Sequence, residues 1–212
     1  MAVNKANIDY SLYLVTDRDI LRGQDFLTCI EASLAGGVTL LQLREKALGS
    51  RDFYDIAVQV KQLCTRYKVP LIINDRLDIM LAIDADGLHI GQDDIPLETA
   101  RGLIGPHKIL GYSVSNADQA LYGQQFADYL GAGVVFPTGS KSDAGEPIGV
   151  DGLGAITSAS TIPAVAIGGI SLQNLAEVKS AGVDGISVIS AVLGQADITK
   201  AAQALLQAWR EL

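Results

Sequence analysis

Leu12-Tyr13-Leu14-Val15-Thr16, running straight into Asp17-Arg18-Asp19, separates two architectures at the outset. The first five residues are a short run without polar alternation, the pattern of a parallel strand buried on both faces. An open, doubly wound dinucleotide fold needs Gly-x-Gly-x-x-Gly at the turn that follows such a strand. Thr16-Asp17-Arg18-Asp19 has no glycine at all. Similar runs recur at residues 38–43, 71–73, 87–90, 109–114, 129–136, 164–167 and 185–189. Helical patterns lie between them. The clearest is Phe53, Ile56, Ala57, Val60, Leu63, Cys64 and Tyr67, one i, i+3, i+4, i+7 stripe behind Ser50 as N-cap. A second stripe, Ile198, Ala201, Ala202, Leu205, Leu206 and Trp209, closes the chain. Ala35-Gly36-Gly37-Val38 and Ala181-Gly182-Val183-Asp184 each end a helix on glycine, which tolerates a left-handed C-cap, just before a strand. Eight strand–helix units without a break in composition predict one α/β domain over residues 1–212, a (β/α)8 TIM barrel.

Composition narrows the function. Of 212 residues, 49% are hydrophobic and 19% charged, and the net charge of −8 argues against a general binder of nucleic acid or of anionic membranes. Any site for a phosphorylated ligand must then be a local basic island. No run approaches the roughly 18 apolar residues of a membrane span, and Met1–Ser11 lacks the apolar core of a secretory signal. Cys29 and Cys64 sit alone inside apolar helical patterns and read as small buried hydrophobes, which suits a reducing cytoplasm.

In a TIM barrel the chemistry sits at the C-terminal ends of the strands. Strand two ends Gln42-Leu43-Arg44-Glu45-Lys46, and period two sends Gln42, Arg44 and Lys46 to one side, converging on the barrel mouth. Two inward cations call for an anionic partner; the structural alternative is that Arg44 pairs with Glu45 or Asp75. Asp75 and Asp94 end adjacent strands within reach of one ion, as hard carboxylates that suit Mg²⁺ bridging phosphate oxygens. The competing role for either is a helix N-cap. Asp93 is set aside because neighbours on a strand face opposite ways. Gly168-Gly169 and Ser190, after strands seven and eight, fit a phosphate cradle. Thr138-Gly139-Ser140-Lys141 offers hydroxyls, amides and a cation, and residues 140–149 read as a mobile lid. His89 reads as a satisfied core histidine and His107 as solvated. No Ser/His/acid set and no zinc cluster stand at the strand ends.

Taken in order, Gln42-Leu43-Arg44-Glu45-Lys46, Asn74-Asp75, Gly87-Leu88-His89-Ile90-Gly91-Gln92, Pro137-Thr138-Gly139-Ser140-Lys141 and Ala166-Ile167-Gly168-Gly169-Ile170 make the chain similar to the thiamine phosphate synthase family over nearly its full length. The resemblance implies condensation of hydroxymethylpyrimidine diphosphate with a thiazole phosphate, with Mg²⁺, releasing pyrophosphate. It implies that Gln42, Arg44, Lys46 and Asn74 hold the pyrimidine diphosphate, that Asp75 and Asp94 bind the metal, and that Ser113 contacts the pyrimidine. Lys141 would contact the diphosphate, and Thr138, Ser140, Gly169, Ile189 and Ser190 would hold the thiazole phosphate. Arg44, Lys46, Ser113 and Lys141 are then the catalytic set. The partners are small molecules, and self-association is left open.

The family's pyrimidine leaves as a cation-like fragment, which explains why no strong general base stands at the strand ends. Three positions depart from the family pattern: Arg76 replaces an acidic residue, Val134 a proline, and Gly139 a larger residue. A thiazole tautomerase on the same barrel is the rival enzyme. It carries a histidine just after the strand-five serine, where this chain has Ser113-Val114-Ser115-Asn116. A phosphate-binding barrel without turnover is the third reading, and it needs no pair of metal carboxylates.

Overall fold

The computed structural model describes residues 5–139 and 145–212. Eight parallel strands close into a barrel in chain order. They are β1 (Leu12–Val15), β2 (Leu40–Leu43), β3 (Leu71–Asn74), β4 (Gly87–Ile90), β5 (Ile109–Val114), β6 (Tyr129–Gly133), β7 (Ala164–Ile167) and β8 (Gly185–Val188). The helices are α1 (Phe26–Ala35), α2 (Ser50–Tyr67), α3 (Leu77–Ala82), α4 (Leu97–Ile104), α5 (Ala117–Gly123), α6 (Gly149–Ala159), α7 (Leu175–Ser180), the four-residue α8 (Ser190–Leu193) and α9 (Ile198–Glu211). Closure is made by β1 against β8, with Leu12 opposite Ile186 and Tyr13 opposite Ser187.

Most strands are apolar on both faces because they serve two cores. Leu12, Leu14, Leu41, Leu43, Leu88 and Ile186 pack outward against the helices. Tyr13, Leu40, Ile72, Ile109, Tyr129 and Val165 fill the barrel interior. This double burial is why the strand runs show no alternation. The left-handed residue at the two glycine-marked helix ends is Gly37 (φ 98°) and Gly182 (φ 78°), one position beyond each C-cap. Ser50 is not a cap: Gly49 precedes α2, and the Ser50 hydroxyl accepts from Arg76 instead.

At the N-terminal rim a repeat of order four appears. The residue just before each even strand accepts a hydrogen bond from the first or second N–H of the preceding odd strand. Thr39 Oγ1 takes Leu12 N (3.0 Å), Asp86 takes Leu71 N (2.8 Å), Asp128 takes Leu110 N (2.8 Å) and Asp184 takes Ala164 N (2.9 Å). These strand-starting amides would otherwise be buried donors without partners. Asp128 also binds Arg101 (2.6 Å) and Lys5 (2.7 Å). Asp128→Ala is expected to destabilise the chain by about 2–3 kcal/mol, since it strands an amide and a half-buried guanidinium. Urea unfolding reads the loss, and turnover per folded molecule stays as in the parent because this rim lies opposite the cavity.

Candidate active site

The C-terminal strand ends open on one cavity of about 570 Å³. Arg44, Lys46, Asn74, Asp75, Asp94, Ser113, Thr138, Gly169, Ile189 and Ser190 all line it. Ser140 and Lys141 lie outside the described residues, as does most of the segment read as a lid; Gly145, Glu146 and Ile148 from its far end line the cavity. Gln42 does not reach the mouth. It is 3% exposed and points into the barrel, where its Nε2 donates to Tyr13 Oη at 2.6 Å. Period two places it on the correct side of the strand, but Gln42 lies deeper in the barrel than the mouth where Arg44 and Lys46 stand.

Charge gathers on the β2–β4 wall. Lys46 Nζ lies 2.6 Å from Asp75. Glu45 is taken by Arg18, which donates to it twice (2.6 and 2.9 Å) while stacking on Phe26. Glu45 and Asp75 thus pair with Arg18 and Lys46, and Arg44 lines the cavity. The Arg44 backbone is clamped by buried Thr16, whose Oγ1 accepts from Arg44 N (2.9 Å) and donates to its carbonyl (3.2 Å). The departure at Arg76 is turned away from the cavity, into Asp78 and Ser50. No third cation joins the site from there.

Asp75 and Asp94 meet across the β3 and β4 ends, near enough for the Asp75 charge to act on the Asp94 carboxyl. Burial pushes the Asp94 carboxyl up and the neighbouring Asp75 adds to it, against the Gly91 N–H (2.7 Å) and the Lys46 charge. Two carboxyls this close share a proton or take a cation. Neither caps a helix, because α3 and α4 begin behind Arg76 and Pro96. Asp75 holds a left-handed backbone (φ 58°), a conformation costing about 1–3 kcal/mol in a non-glycine residue. Bonds from Asp75 N to His89 O (2.9 Å) and from Leu77 N to Asp75 O (3.0 Å) secure it. Asp93 lines the cavity as well. β4 ends at Ile90, so residues 91–95 no longer follow a pleat and strand alternation does not govern where Asp93 stands.

The opposite wall is built from glycine and serine. Gly169 adopts φ 64°, and a Cβ there would lie 2.7 Å from Phe136 Cβ and 2.8 Å from the Pro137 carbonyl. Only glycine permits both that backbone and that approach. Asn174, which the sequence reading passed over, staples this loop: its Nδ2 donates to Gly169 O (3.0 Å) and its Oδ1 accepts from Ser171 N (2.9 Å). Ser190 opens α8 at the end of β8. Val134 packs under Gly168, and none of the described residues lies within 4 Å of where a Cβ on Gly139 would point.

Between the walls the floor is polar. His89 is 7% exposed, with its ring nitrogens 2.8 Å from Tyr129 Oη and 2.9 Å from Ser113 Oγ. It is the satisfied core histidine expected, and it also lines the cavity. Ser187 Oγ, on the inner face of β8, is the one buried side-chain polar atom without a hydrogen-bond partner among the described residues. The signal for it was a serine inside the apolar run Gly185-Ile186-Ser187-Val188. His107 is exposed, and both cysteines are free and buried. No helix among the described residues is long and apolar enough to cross a membrane.

Comparison with known proteins agrees with this geometry. A family model described as thiamine monophosphate synthase matches residues 12–192. The thiamine-phosphate synthase of Desulfitobacterium hafniense (strain Y51) is 58% identical over 204 residues, spanning 96% of this chain and 99% of that one. That of Clostridium novyi (strain NT) is 52% identical over 200 residues, spanning 94% and 98%. The solved thiamine phosphate pyrophosphorylase from Pyrococcus furiosus superposes with a TM-score of 0.87 at 40% identity, covering 96% of this chain and 97% of that one. With Arg44, Lys46, Asn74, Asp75 and Gly169 gathered around one cavity and 96% of its length matched, this chain belongs to the thiamine monophosphate synthase family and is a transferase.

Proposed function

We propose that residues 1–212 act as one catalytic unit that condenses hydroxymethylpyrimidine diphosphate with a thiazole phosphate, giving thiamine phosphate and pyrophosphate. One observation carries this reading: a cationic, carboxylate-bearing wall faces a glycine–serine wall across a single cavity. That is two anion sites of different character, set to hold two phosphorylated substrates face to face.

Arg44 and Lys46 hold the diphosphate on the β2–β4 wall, with Asn74 beside them. Asp75 and Asp94 fit a divalent cation: they are hard oxygen donors, they crowd one another, and two carboxylates plus phosphate oxygens and water suit Mg²⁺. When bound there, Mg²⁺ supplies positive charge to the leaving diphosphate. The bond between the pyrimidine methylene carbon and the diphosphate oxygen breaks, and its electron pair stays on oxygen. The thiazole nitrogen then gives its lone pair to that carbon. No proton moves in either event, so the step asks for cations and donors around the diphosphate and needs no general base. The Gly169 and Ser190 wall holds the thiazole phosphate, with Thr138 and Ile189, so that nitrogen and carbon meet in line. Such orientation supplies about 7–11 kcal/mol in well-aligned intramolecular reactions.

Incubating the purified chain with both substrates and Mg²⁺ tests the reading. Thiamine phosphate and pyrophosphate should appear in equal amounts, and neither when one substrate is omitted. Absence of both products from the complete mixture overturns it. Lys141 is assigned to the diphosphate as well. Lys141→Ala is expected to slow the single-turnover step by about 10²-fold while changing thiazole phosphate binding less than about two-fold. Equal losses in both would make Lys141 a general anchor.

A further inference from the structure

Five polar side chains form an unbroken chain through the barrel interior. Gln42 Nε2 donates to Tyr13 Oη (2.6 Å), Tyr13 Oη lies 2.7 Å from Tyr129 Oη, Tyr129 Oη 2.8 Å from His89 Nδ1, and His89 Nε2 2.9 Å from Ser113 Oγ. The barrel is built to admit it. A Cβ on Gly111 would fall on the Tyr129 ring and on His89 Nδ1, and one on Gly131 would lie 3.0 Å from His89 Cε1. Glycines on β5 and β6 thus make the room that the two rings occupy.

Counting protons gives the chain a direction. The Gln42 Nε2 group only donates, so Tyr13 accepts there and sends its single proton to Tyr129. Tyr129 accepts that bond and sends its own proton to His89 Nδ1. Burial pushes both phenols well up, so each keeps the one proton the count assigns it. His89 then carries its proton on Nε2 and donates it to Ser113 Oγ. A doubly protonated ring would leave the Tyr129 proton without an acceptor inside the core.

We propose that His89 is a positioning residue, the last link of a one-way hydrogen-bond chain that leaves the Ser113 hydroxyl proton pointing into the cavity, so that Ser113 reads an acceptor atom of the substrate. A substrate with an unprotonated aromatic ring nitrogen at this point is favoured, and one presenting N–H or C–H is rejected. The proposal rests on the function above only for the identity of that nitrogen, as part of the pyrimidine. Tyr13 and Tyr129 act through His89 and touch no substrate.

Nitrogen-15 NMR of the histidine-labelled full chain tests it without any substrate. The chain has two histidines, and His107→Gln assigns their signals. The expected result is His89 as the neutral Nε2–H tautomer; an Nδ1–H tautomer or an imidazolium overturns the proposal. In Tyr129→Phe the bond to Nδ1 is gone, and the Nδ1–H form should become populated. With it, kcat/KM for the pyrimidine diphosphate should fall about ten-fold while the thiazole phosphate Kd stays unchanged. A moved tautomer with unchanged kcat/KM overturns the substrate-reading role. If Tyr129→Phe does not fold, the tautomer of the parent chain decides. Failure of the parent to make product is a failure of the proposed reaction and leaves the tautomer result standing.

Discussion

Asp94→Ala should cut turnover by about 10²–10³-fold, the scale of removing one preorganised electrostatic stabiliser from a transition state. Thiazole phosphate should still bind within about two-fold of the parent, because its wall is built from Gly169 and Ser190 on the far side of the cavity. The asymmetry follows from the charges. Asp75 is already engaged by Lys46 at 2.6 Å, so without Asp94 the remaining carboxylate is largely answered by an ammonium and offers a poor metal site. Stability should rise slightly or stay level, since a half-buried carboxyl pushed up by partial burial and by Asp75 is relieved. Steady-state rates with titrated Mg²⁺, beside calorimetric binding of thiazole phosphate, check both halves. An unchanged rate removes Asp94 from the metal site; equal loss of rate and binding removes the separation of the walls.

Gly185→Ala should destabilise the chain by about 3 kcal/mol, at the upper end of overpacking costs. Gly185 starts β8 at the seam that closes the barrel, and a Cβ there would sit on the carbonyl of Tyr10. That obstacle is backbone, with no rotamer to turn aside. Relief requires sliding β8 along β1, which disturbs the Ile186 N to Ser11 O bond and the register of Leu12 with Ile186. Thermal unfolding reads the effect as a fall in Tm of several degrees. A Tm within about one degree of the parent would mean that the seam is looser than described.

The barrel was legible because β-branched and leucine-rich runs, helical stripes and glycine-marked helix ends agree along the whole chain. Strand ends were less so. The apolar run at 38–43 predicts the second strand from residue 38, yet β2 starts at Leu40 and Thr39 is a capping residue whose hydroxyl serves Leu12 N. Residues 134–136 were read into the sixth, where Val135 and Phe136 still bond to the Ile167 and Gly168 carbonyls beyond the end of β6. Which residues face inward is hidden where both faces are apolar. It was readable only where a polar side chain interrupts the run, as at Gln42, Asn74, His89, Ser113 and Ser187. The capping repeat beneath the barrel was out of reach, because it depends on the register between neighbouring strands. Strand alternation says nothing of Asp93, which lies beyond the last residue of β4, and Asn174 sits in a loop with no pattern to flag it.

The most direct measurement is calorimetric titration of the chain with inorganic pyrophosphate, with and without Mg²⁺, repeated in saturating thiazole phosphate. Mg²⁺ should tighten pyrophosphate binding at least about ten-fold, equivalent to roughly 1.4 kcal/mol, and saturation with thiazole phosphate should leave that binding in place. Pyrophosphate affinity indifferent to Mg²⁺, or displacement of one anion by the other, would contradict two distinct anion sites facing each other across one cavity.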